Sequence, residues 1–339
     1  MGKTLVRRML AGDYGLPRKI VIFSRDEAKQ HYMRVAYSTV QSPTDEIIYD
    51  NFRRLLEFRI GDVRNYASLC SVLRGADIII NAAALKQVPS CEYFPEEATL
   101  TNVLGAAHII RAIGENDLPV ETVVGVSTDK ACLPVNAMGM TKALQERVFI
   151  SANITCPKTR FICVRYGNVL ASRGSVIPLF HEQIAVGGPV TITTPDMTRF
   201  LLPLSHAVTT IATAVATAAP GETYVPKIPA AKITDVAKAL IGDKPIETKN
   251  IGIRPGEKVH ELMIAPEEGI RAYDRGYFYA IKPMLPELAS LKEEKDAPRG
   301  RAYGSDDDVM SYEETLALLQ KHKLMVGDAR NGDDEELLS

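Results

Sequence analysis

Three consecutive residues, Thr128, Asp129 and Lys130, offer a hydroxyl, an acid and a base side by side. They follow the run 120–126, which is mostly apolar and rich in β-branched residues, as in a buried parallel strand. In open α/β sheets, ligands bind outside the carboxyl ends of the strands. The sequence therefore predicts that this triplet lies at the rim of a ligand cleft, where its groups can transfer protons.

The composition narrows the classes of protein that this chain can represent. It has 339 residues, 46% of them hydrophobic and 24% charged, with a formal net charge of −2. Such a globular composition points to neither nucleic acid nor a membrane as a partner. No apolar run approaches the roughly 20 residues that span a bilayer, and no secretory apolar region is seen. We expect a cytoplasmic protein.

The cysteines and histidines show no pattern of metal ligation. The five cysteines are scattered, with neither a CxxC pair nor a histidine at metal spacing, and the six histidines lack an HExxH arrangement. This predicts reduced thiols and no bound metal. The cysteines are Cys70, Cys91, Cys132, Cys156 and Cys163.

Strand-like and helical patterns alternate through the first half of the chain. The predicted strands are 19–24, 58–60, 76–82, 120–126 and 161–165, and the clearest predicted helices are 96–115 and 136–152. This alternation predicts βαβ units and the α/β class, with a doubly wound parallel sheet. We expect an irregular, partly helical insertion over about 31–55.

The alternation weakens after residue 177, where Gly and Pro punctuate short elements. We therefore predict a sheet domain over 1–177, a mainly substrate-binding, smaller α+β cap over 178–330 that interleaves with it, and an acidic tail over 331–339. Ser311 and Glu314 form a potential capping box, which predicts a final helix through Leu319.

Eight short motifs, in order along nearly the whole chain, carry a resemblance to a known family. The chain resembles the UDP-N-acetylglucosamine 4,6-dehydratases that invert C5, in the polysaccharide-biosynthesis branch of the extended short-chain dehydrogenase/reductase superfamily. This resemblance implies a Rossmann-type, NADP-binding sheet domain. The motifs lie at 23–27, 61–64, 81–89, 127–131, 165–169, 171–176, 195–200 and 254–258.

The beginning of the chain departs from this family. Family members start with a strand and a glycine-rich loop that seats the pyrophosphate on a helix N-terminus. Residues 1–10 instead have the apolar spacing of an amphipathic helix, and Gly2 corresponds to the last glycine of that loop. Two explanations stay open, a start codon that lies upstream and a degenerate copy. We favour the first because every other motif survives.

The resemblance implies a redox-neutral reaction on UDP-N-acetylglucosamine. Hydride leaves C4 of the sugar for NADP+, and the resulting ketone acidifies the C5 proton. A base removes this proton and water leaves from C6. The hydride then returns to C6, and C5 is reprotonated from the opposite face. The product is a precursor of capsule, O-antigen or other cell-surface polysaccharide. In such a reaction the cofactor carries the hydride, and the protein supplies placement and acid–base groups.

The resemblance assigns a role to each member of the triplet. Asp129 corresponds to the acid that protonates the departing C6 hydroxyl, and Lys130 to the base at C5. The base role requires that burial or a neighbouring cation lower the pKa of Lys130. Thr128 is expected to hydrogen-bond the C4 oxygen. The competing interpretations are a surface ion pair for Asp129 and Lys130 and a turn-stabilising hydroxyl for Thr128.

A second lysine, Lys142, corresponds to the superfamily lysine that binds the nicotinamide ribose. Four residues before it, on the same helix face, many relatives have a catalytic tyrosine, and this chain has Met138. Methionine cannot move a proton, so the base at the C4 hydroxyl is Lys142, Lys130 or a water. Met138 either packs against substrate or nicotinamide, as in a subgroup with the same methionine, or is a plain core residue.

The cofactor is expected to be NADP rather than NAD. Where NAD enzymes place an acid, this chain has Ser24 and Arg25, whose hydroxyl and guanidinium suit a 2′-phosphate. The resemblance assigns further cofactor contacts. They are Gly2, Asp62, Val63, Ala82, Ala83, Ala84, Lys86 and Lys142.

A nucleotide sugar carries a diphosphate, so the site needs additional cations. Lys86 is a candidate here as well as at the cofactor, unless it is simply an exposed loop lysine. The other predicted substrate contacts are Asn168, Arg173, Arg199, Arg254 and, for the uridine ribose, Glu257. Taken singly, each arginine has a competing interpretation as a solvated surface residue.

The leading hypothesis is a lyase that acts on UDP-N-acetylglucosamine and forms a homo-oligomer, as its relatives do. A 4-epimerase or reductase on the same fold is a second hypothesis, although it needs no dehydrating pair such as Asp129 and Lys130. A non-catalytic NADP- or nucleotide-sugar-binding protein is a third. The absent glycine-rich loop favours this third hypothesis, and the retained Thr128, Asp129, Lys130 and Lys142 oppose it.

Overall fold

The computed structural model describes residues 1–38, 43–170, 175–253, 255–289 and 296–328. Its α-helices are α1 (Gly2–Ala11), α2 (Glu27–Tyr37), α3 (Pro43–Leu55), α4 (Tyr66–Leu73), α5 (Val88–Tyr93), α6 (Pro95–Thr99), α7 (Gly105–Glu115), α8 (Ala137–Thr155), α9 (Val176–Ala185), α10 (Leu204–Thr217), α11 (Ile233–Ile241), α12 (Pro266–Gly269), α13 (Pro286–Ala289) and α14 (Tyr312–Lys321). A π-helical turn (Leu100–Leu104) precedes α7, and a 3-10 turn (Asp129–Ala131) precedes α8.

The strands form one large sheet and several two-stranded pairs. They are β1 (Ile20–Ser24), β2 (Leu56–Ile60), β3 (Ile78–Asn81), β4 (Thr122–Val126), β5 (Arg160–Val164), β6 (Val190–Ile192), β7 (Thr198–Phe200), β8 (Thr223–Pro226), β9 (Ala230–Lys232), β10 (Thr248–Asn250), β11 (Leu262–Ile264), β12 (Ala272–Asp274), β13 (Phe278–Ile281) and β14 (Tyr303–Gly304).

The large sheet has the strand order β12-β13-β8-β5-β4-β3. Strands β3, β4, β5 and β8 run parallel, and β13 and β12 add an antiparallel edge. All five residues of β4 are buried, because helices cover both faces of a parallel sheet and leave no side for polar residues. The predicted α/β class with a parallel central sheet is thereby confirmed.

Strand β1 pairs in parallel with β2 as a separate two-stranded sheet. Among the described strands, β1 pairs with β2 alone and β3 with β4 alone, so each keeps one unpaired edge. Helix α1 contacts both parts of the protein: Leu5 belongs to the core above β4 and β5, whereas Val6 and Leu10 pack with Ile20 of β1.

The segment before β2 is more regular than the sequence predicts. Two helices, α2 and α3, occupy most of it, and the expectation of an irregular insertion is wrong for them. Helix α2 begins at a side-chain cap, since the Asp26 carboxylate accepts a hydrogen bond from the Lys29 amide (2.9 Å), and such a cap satisfies one of the free amides of the first turn. The capping box of Ser311 and Glu314 is confirmed at the start of α14.

A fully buried arginine ties the sheet to the elements beside it. Arg165, directly after β5, donates to both carboxylate oxygens of Glu146 in α8 (3.0 and 2.6 Å). It also donates to both oxygens of Glu268 in α12 (3.0 and 2.8 Å) and to the Met263 carbonyl (2.7 Å). Burial alone would raise the pKa of Glu268, but Arg165 lowers it to about 2. Arg165 and Glu268 therefore stay ionised.

Replacing Arg165 by methionine should destabilise the fold strongly. It leaves two buried carboxylates without their cation, and breaking a buried pair in this way costs about 3–5 kcal/mol. Urea unfolding of Arg165→Met measures the loss. Arg111→Met is the control, because Arg111 makes an exposed ion pair with Glu115, and its unfolding midpoint should barely move. Equal midpoints for the two variants would contradict this account.

Candidate active site

A cavity of about 2870 Å³ runs along the whole of β1 and β3 and past the carboxyl end of β4. Its wall contains nearly every described residue that the sequence predicts for the site. These are Gly2, Ser24, Arg25, Asp62, Val63, Ala82, Ala83, Ala84, Lys86, Thr128, Lys130, Met138, Lys142, Asn168, Arg199 and Glu257. The structure thus brings together residues that lie up to 255 positions apart (Gly2 to Glu257).

The Asp129 side chain is the buried centre of the predicted triplet, with 1% of its surface exposed. Its Oδ1 accepts hydrogen bonds from the Thr128 hydroxyl (2.6 Å) and from the Lys130 amide (2.9 Å). The Asp129 amide donates to the Tyr166 carbonyl (3.0 Å), which fixes the turn against the end of β5. The surface ion pair that competed with a functional interpretation does not fit this burial.

Lys130 points its amine at three oxygen-bearing side chains. Nζ lies 3.2 and 3.4 Å from the Asp129 oxygens, 3.3 Å from Asn168 Oδ1 and 3.5 Å from Glu261 Oε1. Burial lowers the pKa of Lys130, but Asp129 and Glu261 outweigh burial and the nearby Arg199, so the net direction is upward. The expected lowering of this pKa is therefore wrong, because Glu261, which was not among the predicted site residues, places a second carboxylate beside the amine.

The pKa that falls is that of Lys142. This lysine is buried, and Nζ donates to the Val126 carbonyl (2.5 Å) and to Gln145 Oε1. Burial lowers its pKa to about 8, with Glu146 acting in the opposite direction. Since neutral partners stabilise its cation less than carboxylates do, Lys142 is the amine that loses its proton at about pH 8.

Met138 is both a core residue and a residue of the cavity wall, so each of the two interpretations open from the sequence is partly met. It is buried beside Cys91 and Ala98 as part of a small core cluster, and it also lines the cavity. The sulfur and methyl group therefore form an apolar part of the wall, one helical turn from Lys142.

Helix α8 approaches the triplet closely at a glycine. Asn136 caps the helix by accepting the Gly139 amide (2.8 Å), and its own amide donates to the Gly256 carbonyl (3.0 Å). A Cβ atom at Gly139 would overlap the Lys130 carbonyl oxygen. Glycine is thus required for the helix to lie against the turn that carries Lys130.

The ends of β1 and β2 build the part of the wall that the sequence assigns to the adenosine half of a cofactor. Arg25 is half exposed, with Nη1 3.5 Å from Asp62 Oδ2. Asp62 also binds Arg64 through its backbone amide and guanidinium (2.7–2.9 Å). Burial raises the pKa of Asp62, but the Arg64 bonds outweigh it and hold it below its usual value. The Ser24 hydroxyl accepts the Asp26 amide (3.2 Å).

The predicted substrate contacts differ in how their polar groups are used. Asn168 faces Lys130 (3.3 Å). Arg199 is buried and donates to three backbone carbonyls, those of Thr198 (2.7 Å), Val259 (3.0 Å) and Lys258 (3.0 Å). Its guanidinium therefore stabilises the cavity wall.

Two other predicted contacts, Arg173 and Arg254, lie outside the described residues. Glu257 lines the cavity and has a buried Oε2 with no hydrogen-bond partner among the described groups. An unpaired buried carboxylate oxygen is costly, so this atom is a natural acceptor for a ligand hydroxyl.

Sequence reasoning missed two carboxylates of the site. Glu261 faces Lys130 (3.5 Å). Glu146 accepts a hydrogen bond from the Ser127 hydroxyl (2.5 Å), directly before the triplet. The available signals were weak: Glu261 follows Glu257 by four residues, and Glu146 follows Lys142 by four.

Three further observations concern a buried thiol, metal ligands and membrane-spanning helices. Burial raises the pKa of the Cys132 thiol to about 12, which keeps it protonated. In the part of the chain that the structure describes, no group of three or more His, Cys, Asp or Glu side chains is placed to hold a metal ion. None of the helices in the described ranges is both long and apolar enough to cross a bilayer.

Comparisons with known proteins agree on the family. A family model described as polysaccharide biosynthesis protein matches residues 1–283. Relatives named UDP-glucose 4-epimerase from Rickettsia conorii and Rickettsia akari are 46% and 44% identical, over 79% and 84% of this chain and 74% and 80% of their own lengths.

Solved structures show the same fold. The X-ray structure of Pen from Bacillus thuringiensis has a TM-score of 0.80 and 30% identity, covering 96% of this chain and 97% of Pen. The structure of DesIV, a dTDP-glucose 4,6-dehydratase from Streptomyces venezuelae, has a TM-score of 0.62 at 20% identity, covering 76% of this chain and 83% of DesIV.

The fold is thus a Rossmann-type α/β fold, shared with these structures. The chain belongs to the polysaccharide biosynthesis protein family. The predicted family is confirmed at this level, and the narrower assignment to C5-inverting UDP-N-acetylglucosamine 4,6-dehydratases stays a prediction.

Replacing Gly139 by alanine should displace the turn that carries Lys130. Overpacking of this kind costs about 1–3 kcal/mol of unfolding free energy, and urea unfolding measures it. Gly114→Ala in α7 is the matched control, because a Cβ there meets only the Cys156 sulfur at 3.4 Å. That variant should gain up to about 1 kcal/mol from helix propensity. A stable Gly139→Ala variant would refute the close approach.

The lowered pKa of Lys142 predicts a pH-dependent stability. Between its folded pKa of about 8 and an unfolded value of about 10.4, the unfolded chain holds a proton that the folded chain has lost. Stability from this group is therefore lowest below pH 8 and rises with pH. Relative to Lys142→Met, the natural chain should gain about 2–3 kcal/mol between pH 7.5 and 10. A pH-independent difference in urea unfolding would show that the pKa is not lowered.

Proposed function

We propose that this protein is a nucleotide-sugar 4,6-dehydratase that acts on UDP-N-acetylglucosamine. The observation that carries the proposal is the Asp129–Lys130 pair, with Asp129 buried and Lys130 beside it at the cavity wall (3.2 Å). Dehydration needs one group that gives a proton to the departing hydroxyl and one that takes a proton from the neighbouring carbon. An adjacent acid and amine held in one turn meet that need.

The surrounding residues have roles that follow from their contacts. Asn168 orients Lys130 from the end of β5, and Thr128 orients Asp129. Lys142, with a pKa of about 8, is the group best suited to take the proton of the C4 hydroxyl, because Met138 has no group that can do so. Met138 supplies an apolar surface beside it.

The described residues fit a nicotinamide dinucleotide. The ends of β1 and β2 offer Ser24, Arg25 and Asp62, and the small side chains 82–84 leave room beside the end of β3. We propose NADP, because Arg25 complements a 2′-phosphate. When bound, the cofactor accepts and returns hydride. Lys142 then binds its nicotinamide ribose, and Gly2 lies where α1 begins.

The proposed substrate is a uridine diphosphate sugar. Relatives at 44–46% identity are named for UDP-glucose, which supports a UDP-sugar. Glu257 offers an unpaired carboxylate oxygen for a ribose hydroxyl, and Arg173 and Arg254 are proposed to meet the diphosphate. The product serves surface-polysaccharide synthesis, in line with the family.

A second candidate is a UDP-sugar 4-epimerase, which the names of the Rickettsia relatives favour. An epimerase also needs a base at the C4 hydroxyl, which Lys142 can provide, but it leaves Asp129 and Lys130 without a proton to move. The two candidates give different products from one substrate.

An NMR time course in D2O with UDP-N-acetylglucosamine and NADP+ separates them. A dehydratase produces a new C6 methyl signal with deuterium at C5. An epimerase produces the C4 epimer with neither. If the chain is silent, the same assay on a chain extended upstream by a strand and glycine-rich loop tests whether the chemistry is present, and silence from both would leave a binding protein.

Asp129→Asn should abolish formation of the methyl product. Loss of a positioned acid costs about 100-fold or more in rate, and the NMR assay measures it. Asp117→Asn is the control, because Asp117 forms an exposed pair with Lys158 and does not belong to the cavity wall as described. That variant should turn over at the natural rate. Full activity in Asp129→Asn would exclude this residue as the acid.

A further inference from the structure

Glu261 is a buried carboxylate whose backbone is held on both sides. It lies directly before β11, with 3% of its surface exposed. Its amide donates to the Ser305 hydroxyl (2.9 Å), and its carbonyl accepts the Ser305 amide (2.8 Å). The Ser305 hydroxyl is also bonded to the Thr198 hydroxyl (2.6 Å). The Glu261 backbone is therefore fixed by Ser305, which is held in turn by Thr198 of β7.

The Glu261 carboxylate faces two cations. Oε1 lies 3.5 Å from Lys130 Nζ and 3.8 Å from Arg199 Nε. Lys130 in turn lies between Glu261 and Asp129, so one amine is shared by two carboxylates. An opposite charge at such a distance in a buried setting favours the charged form of its partner strongly.

The second oxygen of Glu261 distinguishes it from the structural carboxylates nearby. Glu268 uses both oxygens for Arg165, and Glu146 does the same. Glu261 Oε2 is buried and has no hydrogen-bond partner within the described part of the chain, and the residue lines the cavity. An unpaired buried carboxylate oxygen calls for an explanation other than stability.

We propose that Glu261 is a positioning residue that stores a proton on Lys130 and aims the resulting ammonium group at Asp129 and Asn168. It acts through Lys130. Its catalytic consequence rests on the proposed function, whereas its hold on Lys130 does not. Glu261 was not among the residues that the sequence predicts.

The proton held on Lys130 explains how the Asp129–Lys130 pair can supply both the base and the acid of the dehydration. Transfer of a proton from Lys130 Nζ to Asp129 breaks an N–H bond and forms an O–H bond. It leaves a neutral amine and a neutral acid, with no other reactant. These are the forms that dehydration needs, a base at C5 and an acid at the C6 hydroxyl. Lys130 thus begins the reaction as a cation, although it acts as a base.

The charged groups that face Lys130 can be named for each element that packs against it. Asp129 lies on its own turn, Glu261 precedes β11, and Arg199 belongs to β7. On the segment that carries Glu261, Lys258 donates to the Cys132 carbonyl (2.6 Å) and His260 is bonded to the Thr198 hydroxyl (2.8 Å). Neutralising Glu261 therefore leaves Asp129 as the carboxylate in contact with Lys130.

Competitive labelling with acetic anhydride across pH, read at Lys130 by mass spectrometry, tests the proposal without substrate. A quarter of the Lys130 side chain is exposed, so the reagent can reach it. Glu261→Gln should lower the midpoint of Lys130 labelling by one pH unit or more. In turnover, the acid limb of the pH profile should move in the same direction. An unchanged labelling midpoint in a folded Glu261→Gln variant would overturn the proposal.

Two further variants make the result specific. Glu257→Gln changes the other unpaired carboxylate of the cavity wall and should leave the Lys130 midpoint where it is; a shift as large as that of Glu261→Gln would overturn the proposal. Glu261→Asp keeps the charge, so its midpoint should lie between those of the natural chain and Glu261→Gln, and it carries the test if the glutamine variant does not fold. A labelling shift without turnover would support Glu261 and count against the proposed function.

Discussion

The buried guanidinium of Arg165 holds the end of β5, helix α8 and the segment from β11 to α12 together, and the candidate active site depends on their relative positions. Within the described part of the chain, its guanidinium donates to two carboxylates and one carbonyl, all on other elements. Through Glu146 it reaches Ser127 and helix α8, and through Glu268 it reaches the segment that follows Glu261. A neutral core at this point could pack as well, but it would not fix the triplet, α8 and the wall of the cavity in one geometry.

Two lysines close to this cluster have opposite electrostatic settings. Lys130 faces two carboxylates and keeps its proton, whereas Lys142 faces a carbonyl and an amide and loses its proton at about pH 8. The difference comes from what each amine touches and not from burial, which lowers the pKa of both. The cavity wall thus carries one amine whose pKa is raised and another whose pKa is lowered to about 8, with methionine rather than tyrosine at position 138.

The sequence carries the parts of this arrangement that local patterns encode. The apolar run before Thr128 and the cap at Ser311 are visible in it, and so is the Asp129–Lys130 pair. The protonation states are not, because they depend on Glu261, which lies 131 positions beyond Lys130 in the chain. The helical character of the segment before β2 was underestimated, since its helices are stabilised by packing on Leu10 and Ile20 rather than by strong local signals.

The pairing of β1 with β2 alone has a consequence for how the protein moves. This pair, α3 and part of α1 share a small core of their own, separate from that of the six-stranded sheet. Contiguous units of this kind open and close with their own free energies. In native-state hydrogen exchange, the amides of β1 and β2 should therefore exchange together and earlier than those of β4 and β5. The part of the site that carries Ser24, Arg25 and Asp62 would then open and close independently of the part that carries Asp129.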